Sequence, residues 1–97
     1  VTASVVLNRD GALCAVPTVS QTGIGDAEAA TDYIASASIA IEDALAGIGR
    51  SDRLEDRAVE EITGQALRRV ARSMFGLRPV VHVHILRLSG DDLAGVA

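Results

Sequence analysis

The stretch Met74-Phe75-Gly76-Leu77-Arg78-Pro79-Val80-Val81-His82-Val83-His84-Ile85-Leu86 decides how the chain folds. Apolar residues at helical spacing stop at Gly76, a residue type that accepts the left-handed backbone on which many helices end. Pro79 resists a return to helix, and the β-branched residues after it favour a strand. One helix therefore ends at Gly76, and a strand runs from Pro79 to Leu88. His82 and His84 stand two apart on that strand, so both side chains share one face.

Reading back from this junction, Leu54, Ala58, Ile62, Ala66, Val70 and Met74 recur at four-residue steps, with Val59, Leu67 and Phe75 beside them. That is an amphipathic helix. Ser51 or Asp52 is its expected cap, with Glu55 three residues after Asp52 in the manner of a capping box. Gly64 weakens the middle by about 1 kcal/mol relative to Ala. Earlier, Ala30, Ile34, Ala37, Ile41, Ala44, Leu45 and Ile48 mark another helix, with Asp26 as N-cap and Gly47 and Gly49 at its end.

At the start, Val1, Ala3, Val5 and Leu7 alternate with more polar residues, the mark of a half-buried strand. Asp10-Gly11 then signals a hairpin. A second strand is expected from Ala12 to Val19, at an edge or irregular near its end because Pro17 cannot donate to a ladder. The order β-β-α-α-β implies an α+β, two-layer sandwich whose three-stranded sheet is covered on one face by two helices. Residues 1–97 read as a single domain with a flexible tail at 89–97. The opening at Val1, without an initiator Met, reads as a piece of something larger.

Composition narrows the function classes. The apolar share is 48% but aromatics are only 2%, so the core is made of small aliphatic side chains that bury little area each. A domain this small gains from a partner that adds burial. The net charge of −4 argues against a free-standing nucleic-acid binder, which draws affinity from neutralising phosphates. The charge is unevenly placed. Residues 1–49 hold one arginine against six acids, whereas residues 67–88 hold five arginines and no acid. A single cysteine, Cys14, excludes an internal disulfide and a cysteine-cluster zinc site. No apolar run of ~18 residues is present, and no signal-peptide pattern, so no membrane association and a cytoplasmic location are expected.

Each candidate site has a plainer explanation. His-x-His on a strand can aim both imidazoles at one ion, but no motif offers the third protein ligand that a catalytic zinc requires. The pair reads as semi-buried or interface histidines, and no metal site is assigned. Thr22-Gly23-Ile24-Gly25 precedes a helix start, yet it lacks the P-loop lysine and the full dinucleotide pattern, and Asp26 and Glu28 repel phosphate. Glu55, Asp56, Glu60 and Glu61 fall on the polar side of a helix, where nothing separates their pKa values for acid–base work. No catalytic residue is assigned.

Two surfaces remain. Arg68, Arg69, Arg72 and Arg78 form a basic cluster able to meet RNA phosphates or an acidic partner; their plainer role is to complement the helix dipole. No aromatics interleave with them, so single-strand stacking has no platform. Val80, His82, His84, Leu86 and Leu88 face away from the helices if Val81, Val83 and Ile85 face them. A mostly apolar outer face suits an interaction surface, and a homodimer through that face or the strand edge is expected.

This pattern resembles the C-terminal domain of the ribonuclease J family. The likeness rests on the first strand with its Asp10-Gly11 turn, on Pro17-Thr18-Val19 with Gly23 after it, and on two helices of matching order. It closes on Gly76, Arg78-Pro79 and the apolar strand Val80 to Leu88, and so covers nearly the whole chain. The resemblance implies a non-catalytic module of a larger metal-dependent ribonuclease. In that family a metallo-β-lactamase domain and a β-CASP domain act as 5′-to-3′ exonuclease and endonuclease in RNA maturation and decay. It implies zinc in the parent's catalytic domain and no cofactor in this piece, whose residues lack the zinc-binding histidine motif. It further implies a role in oligomer assembly and activity, with the parent's catalytic domains as partners. An accessory RNA-contacting role through the arginine cluster is the alternative. The chain departs from many relatives at His82 and His84, where apolar residues or proline are more usual.

Overall fold

In a computed structural model, residues 1–23 and 26–88 are described, and within them the expected order appears with one addition. Strand β1 (Thr2–Leu7) and strand β2 (Thr18–Ser20) lead into helix α1 (Ala27–Ala46). A one-turn helix α2 (Arg50–Arg53) precedes helix α3 (Asp56–Phe75), and strand β3 (His82–Arg87) follows. The sheet order is β2-β1-β3, with β1 antiparallel to β2 and parallel to β3. The chain is thus an α+β fold with a mixed three-stranded sheet.

The alternation in β1 does what its sequence requires. Ala3, Val5 and Leu7 are fully buried, while Thr2, Ser4 and Val6 point to the other face. The inner residues join Val19 of β2, Tyr33, Ala37, Ile41 and Leu45 of α1, and Val59, Ala66, Leu67 and Ala71 of α3 in one cluster. α1 packs beside α3, with α1 towards β2 and α3 towards β3. Alanines at Ala37, Ala66 and Ala71 let the layers approach closely. Tyr33 lies fully buried, donates its hydroxyl to the Leu67 carbonyl at 3.0 Å, and sets its ring 6.1 Å from that of Phe75. Its absence from the expected apolar stripe is corrected here: the ring fills the core while the hydroxyl finds a partner.

The helix boundaries follow their capping chemistry. Asp26 accepts from the Ala29 amide at 2.8 Å and starts α1; Gly47 ends it. Gly76 takes φ 67°, the left-handed geometry expected of it, and ends α3. Between the helices the expectation fails. Glu55, not Ser51 or Asp52, occupies the N-cap of α3, and it makes no side-chain capping bond. Residues 50–53 form their own turn instead, closed by the Leu54 amide on the Arg50 carbonyl.

The apolar stripe of α3 is also shifted. Val59, Thr63, Ala66, Leu67 and Ala71 are buried, whereas Leu54 and Met74 are 41% and 38% exposed. A ladder stepped by four residues drifts about 40° per step around a 3.6-residue helix, so its two ends leave the core.

The second strand is shorter than the sequence suggests. Leu7 faces Leu13 in an isolated bridge, while Ser4 faces Thr18, so three steps on β1 are matched by five on the returning chain. The extra residues fall at Cys14, Ala15 and Val16, which are exposed, while Pro17 is buried and its carbonyl accepts from Ser38 Oγ of α1 at 3.3 Å; only Thr18–Ser20 remains as strand. The hairpin turn is nonetheless tight. Asn8 Oδ1 accepts from the Asp10 and Ala12 amides at 2.9 and 3.0 Å. Gly11 adopts φ 81°, and a Cβ there would sit 2.6 Å from Arg53 Cβ, so both backbone and space demand glycine. Residues 89–97, expected as a tail, lie outside the described residues.

Candidate interaction surfaces

β3 is an edge strand, and this sets the geometry of one surface. The His82 amide donates to Val1 O and the Leu88 amide to Leu7 O, so even-numbered residues bond to β1. By the alternation of a parallel ladder, the N–H and C=O groups of Val83, Ile85 and Arg87 point to the opposite edge. Among the described residues no strand pairs with that edge. An open groove of about 400 Å³ runs beside it, between Val81 and Val83 on one wall and Arg57, Glu60, Glu61, Gly64 and Arg68 of α3 on the other.

The outer sheet face is less apolar than β3 alone suggests. His82, His84 and Leu86 are exposed there, with Val80 at 74% and Leu86 at 56% exposure, while Leu88 is half-buried. Register places Thr2, Ser4 and Val6 of β1 opposite His82, His84 and Leu86. Thr18 and Ser20 extend the face on β2. The expectation of a mostly apolar face is corrected: hydroxyls and imidazoles occupy its middle, and apolar side chains remain at Val80 and at the Val6–Leu86 end. A single strand could not reveal this, because the neighbours that complete a face come from elsewhere in the chain. His82 and His84 stand across from Thr2 and Ser4, and among the described residues no group of three or more His, Cys, Asp or Glu side chains is placed to hold a metal ion. Of the Thr22–Gly25 turn, Ile24 and Gly25 lie outside the described residues.

The arginines separate into two kinds. Arg87, one of the five arginines of the acid-free stretch 67–88, is structural: Nε donates to Asp56 Oδ1 at 2.6 Å and Nη2 to the Arg53 carbonyl at 2.9 Å. Arg50 pairs with Asp10 at 3.1 Å on the surface, a contact worth little because both groups are solvated. Among the described residues, Arg68, Arg69, Arg72 and Arg78 make no ion pair and no side-chain hydrogen bond. They are exposed, and together with Gln65, Gly76 and Leu77 they line a second open groove, of about 630 Å³. The left-handed turn at Gly76 folds the chain back and brings Arg78 to the arginines of α3.

The fold defines a layered α+β domain that presents these two open surfaces. A family model described as "Ribonuclease J C-terminal domain" matches residues 1–88, and the chain belongs to that family. No curated protein and no solved structure matches it.

Proposed function

We propose that this chain is a non-catalytic domain of a ribonuclease J-type enzyme, acting in RNA processing and decay by holding copies of the enzyme together. The chemistry, 5′-to-3′ exonucleolytic and endonucleolytic cleavage with zinc, belongs in this reading to catalytic domains of the cytoplasmic parent. Family membership supports a ribonuclease parent. The observation that carries the assembly role is the edge of β3. Six residues long, it has no proline, lysine or bulge within it, the devices by which proteins usually blunt such edges. A second copy adding its own β3 there would bond to the free groups of Val83, Ile85 and Arg87. It would also cover Val80 and Leu86, and it would supply burial that a core of small aliphatics lacks.

Sedimentation of the chain beside a Val83→Pro variant tests this. Proline removes a backbone donor from the open edge and leaves the β1–β3 ladder intact. A dimer for the natural chain and a monomer for the variant, both folded by circular dichroism, is the expected pair of results. A monomer in both cases sinks the proposal.

A further inference from the structure

We infer that the groove between the C-terminal half of α3 and the Gly76–Pro79 turn binds the sugar–phosphate backbone of single-stranded RNA without reading its sequence. Arg68, Arg69, Arg72 and Arg78 supply four guanidinium groups to one groove, and no acid lines it. In a chain of net charge −4, this is a local concentration of positive charge, and none of the four forms an ion pair among the described residues, although Arg68 also borders the neighbouring groove that holds Glu60 and Glu61. Guanidinium forks match phosphate oxygens in pairs and give up their hydration more readily than ammonium groups.

The plainer explanation, that these arginines serve the helix dipole, does not cover the geometry. Dipole effects fade within the last turn, and Arg68 and Arg69 stand seven and six residues before Phe75. None of the four guanidinium groups bonds a terminal carbonyl of α3 either, as basic residues at a helix end commonly do. Arg78 lies outside the helix altogether and is delivered by the turn. Without an aromatic in the groove, binding rests on charge and is indifferent to base identity.

The choice of RNA over an acidic protein segment rests on the proposed ribonuclease parent; the four-cation groove does not. Tethered to such a parent, even a weak site gains from high effective concentration and can hold a strand leading to or from the catalytic body.

Fluorescence anisotropy of a labelled single-stranded oligouridylate, titrated with the chain at rising salt, tests this. Four phosphate contacts give a slope of log K against log salt near about −3, which is a roughly 50-fold loss between roughly 50 and 200 mM. Arg68→Glu with Arg72→Glu abolishes binding at low salt, Arg68→Ala with Arg72→Ala flattens the slope by about half, and Arg9→Glu on the hairpin turn leaves both unchanged. Absence of binding at low salt, or equal binding by the double variants, overturns the inference. So does tighter binding of polyglutamate than of RNA, which assigns the groove to an acidic protein. Arg69 and Arg72 do not line the groove beside β3, so sedimentation of Arg69→Glu with Arg72→Glu reports on assembly independently of RNA.

Discussion

β1 and β3 are six residues each, parallel and in register, yet one is core and the other surface. Every inward residue of β1 (Ala3, Val5, Leu7) is fully buried, while every inward residue of β3 (Val83, Ile85, Arg87) is only half-buried. Their alternation is the same, and β3 has three apolar residues against four in β1, too small a gap to account for the contrast. What differs is place in the sheet. β1 has a strand on each side and helices above it, whereas β3 has a strand on one side only. Alternation along a strand is local, but the depth to which it is buried is set by neighbours that arrive from distant sequence.

The sharpest test of this contrast truncates one leucine in each strand. Leu7→Ala empties a fully enclosed site and is expected to cost about 3 kcal/mol in chemical denaturation. Leu86→Ala, on the exposed face, is expected to stay within about 0.5 kcal/mol for the monomer. Similar losses at the two positions would show that β3 is covered, and would remove the open edge on which the assembly reading depends.

A smaller effect is expected where β1 turns. Gly11→Ala sets a Cβ against Arg53 at a backbone angle that alanine adopts reluctantly, at a cost of about 2 kcal/mol in the same measurement. A neutral outcome would mean that the hairpin and α2 are not held against each other, and that the buried end of β1 is looser than its burial implies.

The smallest effect is a pH dependence confined to the packed side. Burial raises the Tyr33 hydroxyl above its ordinary value near 10. Because the fold favours the neutral form, its contribution is fully present below the unfolded pKa. Above that value the unfolded chain ionises first, and stability falls until the folded pKa is passed. Tyr33 is the only tyrosine, so tyrosinate absorbance reports on it alone. Ionisation at the ordinary pH in the folded chain would show that the α1–α3 interface admits water. Tyr33→Phe should erase this pH dependence.

Most of the frame was legible from residues whose chemistry acts over a few positions. Asp26 starts a helix, Gly47 and Gly76 end helices, Asp10-Gly11 turns a hairpin, and period-two alternation marks β1. The places where reading went astray involve partners that are not neighbours. Tyr33 entered the core because the Leu67 carbonyl lies within reach of its hydroxyl, 34 residues away. The stripe of α3 turned because the layer it meets selects which residues face inward. The sheet's outer face became polar because β1 and β2 bring Thr2, Ser4, Thr18 and Ser20 beside the histidines.

The candidate surfaces divide in the same way. Arg68, Arg69 and Arg72 were recognisable as a set from helical spacing, and His82 and His84 as a pair from strand parity. Arg78 was placed with them from the sequence, but that it lines the same groove, and that Arg87 of the same basic stretch is tied to Asp56, depended on how the Gly76 turn and β3 sit against α3. Short-range steric and capping preferences are encoded in single residues and their near neighbours, so element types and most of their ends are written in the chain. Burial, ion pairing and open edges are properties of surfaces made by distant segments, so the chain had to fold before an arginine became structural or free, and before a strand became core or rim.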